Sequence, residues 1–350
     1  MDTIPWLEQE KLAQRVGMVI PVYFSAKASD EMVERLLQIT LGDCHHYLPL
    51  EQIWAVVDGD ARSVRLLEQL RSRLQKRHGA TFHLLPLPAN CGKLWAMREG
   101  IRLLLAQLPE VEYVLIRDGD GDHAASDIPH LLRAAYHLQQ LQGDTRFIII
   151  GRRHSRHRPM GWWRGELEEL LDGITLDALA FRLAQEGRAL NLRYCLGPLP
   201  DLSSGYKIYG RQTAEMLFIQ GAPRFLTLSP QDYWHYGPET VTVIEAILQG
   251  TTLAEVQRAT WDGQPTTSFG EFRHLSLYGE LLAWVYARLE VPLSVAAQFY
   301  DNRTPSLALR TTEEGRRTLA ELRTYALEKL RAFLGSAQEI PPPSPVLPFV

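Results

Sequence analysis

Apolar residues along this chain fall in short runs separated by longer amphipathic stretches. Val16-Gly-Met-Val-Ile-Pro-Val22 has no polar face, as expected of a strand covered on both sides. Ser29-Asp-Glu then opens a helical run from Met32 to Ile39. A second strand, Gln52-Ile-Trp-Ala-Val-Val57, ends at Asp58-Gly-Asp60, and a basic helix follows over 63–77. Thr81-Phe-His-Leu-Leu85 reads as a third strand, Asn90-Cys-Gly-Lys93 as a turn, 94–107 as a helix and Tyr113–Ile116 as a fourth strand. Strands alternating with helices at this spacing predict an α/β fold with a doubly wound, mostly parallel sheet. The turns that follow the strands then share one edge. Pro21, Tyr23, Asp58, Asn90 and Lys93 are expected to converge there.

The second half continues with a helix from Asp127 to about 142 and a strand Arg146-Phe-Ile-Ile-Ile150 ending at Gly151-Arg-Arg153. Residues 161–189 read as two helical pieces broken near Gly173, and 202–211 as a strand and turn. A helix from Pro238 to Gln249 and a last strand from Leu253 to Thr260 follow. Residues 270–289 and 312–334 are amphipathic helices, and Ile340-Pro-Pro-Pro-Ser-Pro345 excludes a helix. The expected organisation is a catalytic domain over 1–262, a helical appendage over 263–336 and a Pro-rich tail over 337–350.

Composition narrows the class. A net charge of −4 gives no basic footprint for nucleic acid. No run reaches the roughly 18–20 apolar residues of a membrane span. Cys44, Cys91 and Cys195 lie far apart, which fits a reducing compartment better than a disulfide framework or a Cys-rich zinc site. With no basic and apolar leader pattern at the N-terminus, the expected location is the cytoplasm.

The chemistry centres on Tyr113-Val-Leu-Ile-Arg-Asp-Gly-Asp-Gly-Asp-His123, where an apolar strand runs into Asp118, Asp120 and Asp122. Like charges so close repel unless a cation lies among them. Hard oxygen ligands favour Mg²⁺ or Mn²⁺. A calcium loop needs Gly at its sixth position and Glu at its twelfth, but His123 and Pro129 stand there. A divalent ion at the carboxyl end of a strand suggests phosphate chemistry, because open α/β sheets bind ligands at that end. Asn90-Cys-Gly-Lys93 is not a nucleotide P-loop, since Leu87 and Leu94 occupy positions that need Gly and Ser/Thr. Gly151–Arg158 is a dense basic run suited to anionic oxygens. For Trp162 and Trp163, core packing is the preferred reading over an acceptor platform.

Five blocks in order resemble family 2 glycosyltransferases of the GT-A fold, especially the polyprenyl-phosphate (dolichol-phosphate) mannosyl- and glucosyltransferases. They are Val19–Tyr23, Val57–Asp60, Asn90–Lys93 with Ala96 and Arg98–Gly100, Asp118–Asp120 with Ile128-Pro129, and Asp201–Arg211. The resemblance implies a GT-A fold with C-terminal helices, its nucleotide-sugar half over about 16–125 and its acceptor half over about 126–262. It also implies metal-dependent transfer from a UDP- or GDP-linked sugar to a small or lipid-linked acceptor bearing phosphate or hydroxyl.

On these positions the resemblance assigns Pro21, Tyr23, Asp58, Asn90, Lys93, Asp118 and Gly119 to the nucleotide sugar. Asp120 becomes the metal ligand; outside the resemblance, Asp122, which departs from the Gln common in the family, and His274, a lone histidine that also reads as structural, are further candidates. Arg153, Asp201 and Arg211 border the acceptor. Asp232 and Glu239 are the candidate bases by chain position, beside Asp118 and Asp120 as catalytic groups. Asp58 reads equally as a loop cap, and Asp201 and Arg211 also read as a strand cap and a surface charge. A small acceptor such as a glycerate is an alternative to a lipid phosphate, and peripheral membrane contact stays open. A sugar nucleotidyltransferase would need a Gly-rich, Arg-containing loop after the first strand, which Pro21-Val-Tyr-Phe-Ser-Ala26 does not provide. A nucleotide-sugar binder without turnover is the remaining alternative.

Overall fold

The computed structural model describes residues 6–260 and 274–345, apart from the side chains at 158–160 and 274. A short helix α1 (Gln9–Ala13) leads into β1 (Val16–Val22), α2 (Asp30–Leu41), β2 (Ile53–Asp58), α3 (Ala61–His78), β3 (His83–Leu87), α4 (Lys93–Gln107) and β4 (Tyr113–Ile116). Then come α5 (Ile128–Gln142), β5 (Phe147–Arg153), α6 (His157–Gln185), β6 (Leu192–Arg193) and β7 (Lys207–Gly210). The remainder is α7 (Arg211–Ala214), a π-helical turn Glu215–Gln220, α8 (Pro230–Tyr236), α9 (Thr240–Leu248), β8 (Thr252–Arg258), α10 (His274–Arg288), α11 (Leu293–Arg310) and α12 (Glu313–Leu334).

The eight strands form one sheet in the order β3-β2-β1-β4-β7-β5-β8-β6. All pairs are parallel except those of β7, which runs antiparallel to both β4 and β5. This is the doubly wound, mostly parallel α/β architecture with C-terminal helices that the sequence pattern predicts. Strands β1, β2 and β4 are buried at every position because helices cover both faces. Alternate residues supply the two cores: Val19 and Val56 face one, Met18, Ile20 and Val57 the other. Gly100 lets α4 lie close on the sheet, since a Cβ there would meet Val19 Cγ1 at 2.6 Å.

The reversed direction of β7 decides what reaches the ligand edge. Its register pairs Ile116 with Lys207 and Tyr113 with Gly210. The residues entering β7, Ser203–Gly205, therefore lie beside the carboxyl end of β4. Arg211, which leaves β7, lies at the far edge.

Two helices differ from the sequence expectation. Helix α6 does not break at Gly173, where the missing side chain leaves room for Arg303 (3.2 Å from an added Cβ); its non-helical residue is Gly161 at φ 79°. Helix α11 escapes the pattern because Pro305 interrupts it and its buried face (Leu293, Ala296, Ala297, Tyr300, Leu307) is sparse. It forms by packing on α6 and α12. Helices α10 and α12 pack on the sheet by their apolar faces: Leu282, Trp284 and Leu327 share one core with Val114 and Ile148. The tail lies along α12, with Arg323 Nη1 donating to the Pro341 carbonyl at 3.0 Å. Among the described residues no helix is long and apolar enough to cross a membrane.

Candidate active site

A cleft of about 780 Å³ runs across the carboxyl ends of the strands. The structure brings Pro21, Tyr23, Asp58, Asn90, Lys93, Asp118, Gly119, Asp120, Asp122, Arg153 and Glu239 to its walls. Their convergence follows from parallel pairing, which puts the end of every parallel strand on one edge.

Asp58 is buried, and both its oxygens serve the neighbouring loop. Oδ1 accepts from the Cys91 amide at 2.7 Å and Oδ2 from the Gly92 amide at 2.9 Å. That loop sets the start of α4 and hence the position of Lys93. Gly92 has φ 102°, and a Cβ on it would lie 2.5 Å from the Trp234 backbone of α8. Only glycine fits both constraints. Asn90 Oδ1 and His235 Nε2, 2.9 Å apart, join the same loop to α8. Asp60 caps α3 by accepting from the Arg62 amide at 3.1 Å.

Lys93 Nζ stands 2.8 Å from Asp118 Oδ1 and 2.7 Å from Glu239 Oε1. Burial alone would lower the lysine pKa, but the Asp118 and Glu239 carboxylates outweigh it and hold the ammonium well above its usual range. Burial likewise opposes ionisation of Asp118. The Lys93 ammonium overcomes it, and the Asp118 carboxyl sits well below the usual carboxylate range. Asp122 is held by Arg258, whose Nη2 lies 3.2 Å from Oδ2. Asp120 lies between these two carboxylates and accepts the Asp122 amide at 3.2 Å. Burial and then its neighbours Asp118 and Asp122 push its pKa up to about 7.

The aspartate loop is pinned by residues that motif reasoning did not single out. Buried Arg117 donates from Nε to the His123 carbonyl at 2.8 Å and from Nη1 to the Thr40 carbonyl. His123 is only 2% exposed and stacks on Tyr206 with ring centroids 4.5 Å apart. Its Nδ1 accepts the Asp118 amide at 3.0 Å, so the ring proton belongs on Nε2, which stands 4.0 Å from both Asp118 and Asp122. Burial and the nearby Arg258 keep it neutral by lowering its pKa well below the usual value.

At the other end of the cleft, Arg153 donates from Nε to Asp201 Oδ2 at 2.9 Å and from Nη2 to Asp201 Oδ1 at 2.5 Å, with Glu168 Oε2 at 2.7 Å. Burial opposes the charge on Asp201, and the Arg153 guanidinium holds its carboxyl well below the usual range. Arg156 pairs with Asp172 at 2.7 Å and Arg164 with Glu168 at 2.8 Å. Asp201 thus lies beneath the cleft as the partner of Arg153 rather than on its surface. Glu168 was not apparent from sequence. It lies on α6, 15 positions past Arg153, and only the folding of α6 back over β5 brings the two together.

Three sequence candidates are placed elsewhere or not placed. Arg211 sits at the opposite edge of the sheet, donating from Nη1 to the carbonyls of Pro109 and Val111 at 2.8 and 2.9 Å and pairing with Glu215. Asp232 lies in the first turn of α8, outside the cleft lining, and accepts from Ser229 Oγ at 2.6 Å. The side chain of His274 lies outside the described residues. Trp162 and Trp163 are 66% and 39% exposed, contrary to the core-packing expectation, because Gly161 turns the chain just before them.

A divalent ion suits this donor set. The oxygens are hard, they carry several negative charges, and Asp118 Oδ1 is buried with no hydrogen bond, since Lys93 is close but off hydrogen-bonding geometry. The three aspartates are not collapsed on one point: among the described residues, the cluster of three ligating groups lying within 4.8 Å of one another is His157, Glu166 and Glu169. In that cluster Glu166 already pairs with His157 and Arg310.

No family model and no curated protein matches this chain. Among solved structures it is similar to TarS 1-349 of S. aureus in complex with UDP, at 11% identity and a TM-score of 0.44, covering 91% of this chain and 90% of that one. The longer S. aureus TarS gives 11% identity and 0.42, covering 93% of this chain and 55% of that one. GalNAc-T7 with UDP, GalNAc and Mn²⁺ gives 13% and 0.40, covering 92% and 56%. Likeness this distant assigns no activity.

Proposed function

We propose that this protein is a metal-dependent glycosyltransferase. It moves a sugar from a UDP- or GDP-linked donor to an acceptor bearing phosphate or hydroxyl. The observation that carries the reading is the position of Asp118, Asp120 and Asp122 at the carboxyl end of β4, with Asp118 in contact with Lys93 of the Lys93–Glu239 pair inside one cleft.

Pro21, Tyr23, Asn90 and Lys93 line the donor half, while Asp58 shapes it by fixing the loop before Lys93. A Cβ on Gly119 would lie 3.0 Å from the Pro21 carbonyl oxygen, so glycine keeps that wall close. Asp118 orients the sugar, and Asp120 with Asp122 would hold Mg²⁺ or Mn²⁺. The ion, when bound, neutralises the departing diphosphate. Lys93 adds a second positive charge on the same side. Glu239 is the carboxylate placed to take a proton from a hydroxyl acceptor. Arg153, held by Asp201, stands at the acceptor half. We assign the protein to the cytoplasm, in keeping with Cys44, Cys91 and Cys195 all being unpaired thiols.

The test is binding and slow hydrolysis of a panel of UDP- and GDP-sugars with Mn²⁺ or Mg²⁺, on wild type and Asp120→Ala. One donor should bind and hydrolyse only with metal, and the variant should lose both. Absence of binding to every donor, with and without metal, would sink the proposal.

A further inference from the structure

We infer that the group receiving the sugar is a neutral, carbon-bound hydroxyl and not a phosphate. This rests on the glycosyltransferase reading and narrows its acceptor.

The dense arginines of 151–158 look on paper like a phosphate site. In the fold Arg152, Arg153 and Arg156 are already matched, Arg152 by Glu255 at 3.2 Å, while the side chain of Arg158 lies outside the described residues. Arg153 is shared by Asp201 and Glu168, Arg156 is taken by Asp172, and Arg164 by Glu168. Three guanidiniums meet three carboxylates at this end. Arg153, Arg156, Glu168, Asp172 and Asp201 are buried, so their pairs cannot open to take a ligand at little cost, and Arg164, 23% exposed, is held by Glu168. Over the whole cleft, the described lining residues include six carboxylates against five Lys and Arg side chains. A nucleoside diphosphate sugar is a dianion and a divalent ion offsets it. An acceptor phosphomonoester would add a further charge of about −1.5 to −2 at neutral pH. Among the described residues, no unmatched cation at the acceptor end offsets that addition. Ser203 and Ser204 line this end without adding charge, their hydroxyls donating to Asp172 Oδ1 and to the Gly151 carbonyl, each at 2.7 Å.

A hydroxyl must also lose its proton, and Glu239 supplies the base. The acceptor oxygen forms a bond to the anomeric carbon while the bond from that carbon to the diphosphate oxygen breaks. The electron pair leaves with the nucleoside diphosphate, and the acceptor proton passes to Glu239. A phosphate acceptor, already ionised, needs no such group.

The full chain is loaded with Mn²⁺ and with UDP or GDP, then titrated calorimetrically with methyl phosphate. Wild type should show no saturable binding up to about 10 mM. Glu168→Gln, which removes one matched carboxylate, should bind methyl phosphate at least about tenfold more tightly. In parallel, donor consumption is followed with glycerol and simple sugars against dodecyl phosphate. The expected product is a glycoside on a carbon hydroxyl. Saturable methyl phosphate binding to wild type, a glycosyl phosphate formed from dodecyl phosphate, or no gain in Glu168→Gln overturns the inference. Failure of both nucleotides to bind counts against the glycosyltransferase reading instead.

Discussion

Lys93 Nζ lies 2.7 Å from Glu239 Oε1, across 146 positions of sequence. The contact ties the first turn of α4 to the start of α9 and places a cation where two carboxylates face each other. Lys93→Met should therefore lower turnover by about 100-fold or more, since the charge acts on the departing group as well as on Glu239. The two side chains are 28% and 23% exposed, so the pair's contribution to stability should be on the order of 1 kcal/mol or less. Steady-state kinetics beside a thermal melt checks both parts. A loss below about threefold would remove Lys93 from the machinery.

Gly205 has no room for a side chain. A Cβ there would lie 2.6 Å from Asp118 Oδ2 and 3.0 Å from Lys93 Nζ. Gly205→Ala should displace the Lys93–Asp118 contact and cut turnover by about tenfold or more with little change in melting temperature. Equal activity in the variant would show that this contact is not needed in the reacting geometry.

Asp201 is expected to matter for folding. Removing its charge leaves Arg153 with Glu168 as its described carboxylate partner, which Arg164 already shares. Asp201→Asn should cost about 3–5 kcal/mol of unfolding free energy in urea. Replacing both partners, Arg153→Met with Asp201→Leu, should recover at least half of that, because no uncompensated buried charge remains. A double variant as unstable as the single one would argue against the ion-pair account.

Lys207 is buried and bonds to backbone carbonyls, those of Leu202 (3.0 Å) and Ser204. Burial lowers its pKa from 10.5 to about 8, with Lys93 adding to the effect. The folded protein then releases this proton near pH 8, while the unfolded chain keeps it until about 10.5. Between those values the unfolded state binds more protons, so stability rises with pH. The penalty of about 3 kcal/mol is fully present below the lower value and relieved above the upper one. Compared with Lys207→Met, wild type should gain stability steadily from pH about 8 to about 10. A constant difference across that range contradicts the assignment.

Much of the cleft's first half was legible in the chain. The strand periodicity, the Asp58 and Asn90–Lys93 turns and the aspartates after β4 are local features, and parallel pairing carries local features to a common edge. The candidates of the second half were less legible. Arg211 and Asp201 are only ten residues apart in sequence, yet β7 runs antiparallel between them, so one lies beneath the cleft and the other at the far edge. Trp162 and Trp163 read as core by composition, but a left-handed glycine beside them exposes both.

By itself the sequence determined the strand–helix alternation, the two-sided burial of the central strands and the hard-oxygen character of the site, because each depends on residues close along the chain. Only the tertiary structure decided which charges cancel. Lys93 meets Glu239, Asp122 meets Arg258, and Arg153 meets Glu168 and Asp201. Electrostatic energy depends on distance in space and on the water excluded between groups, and neither can be read from separation along a chain.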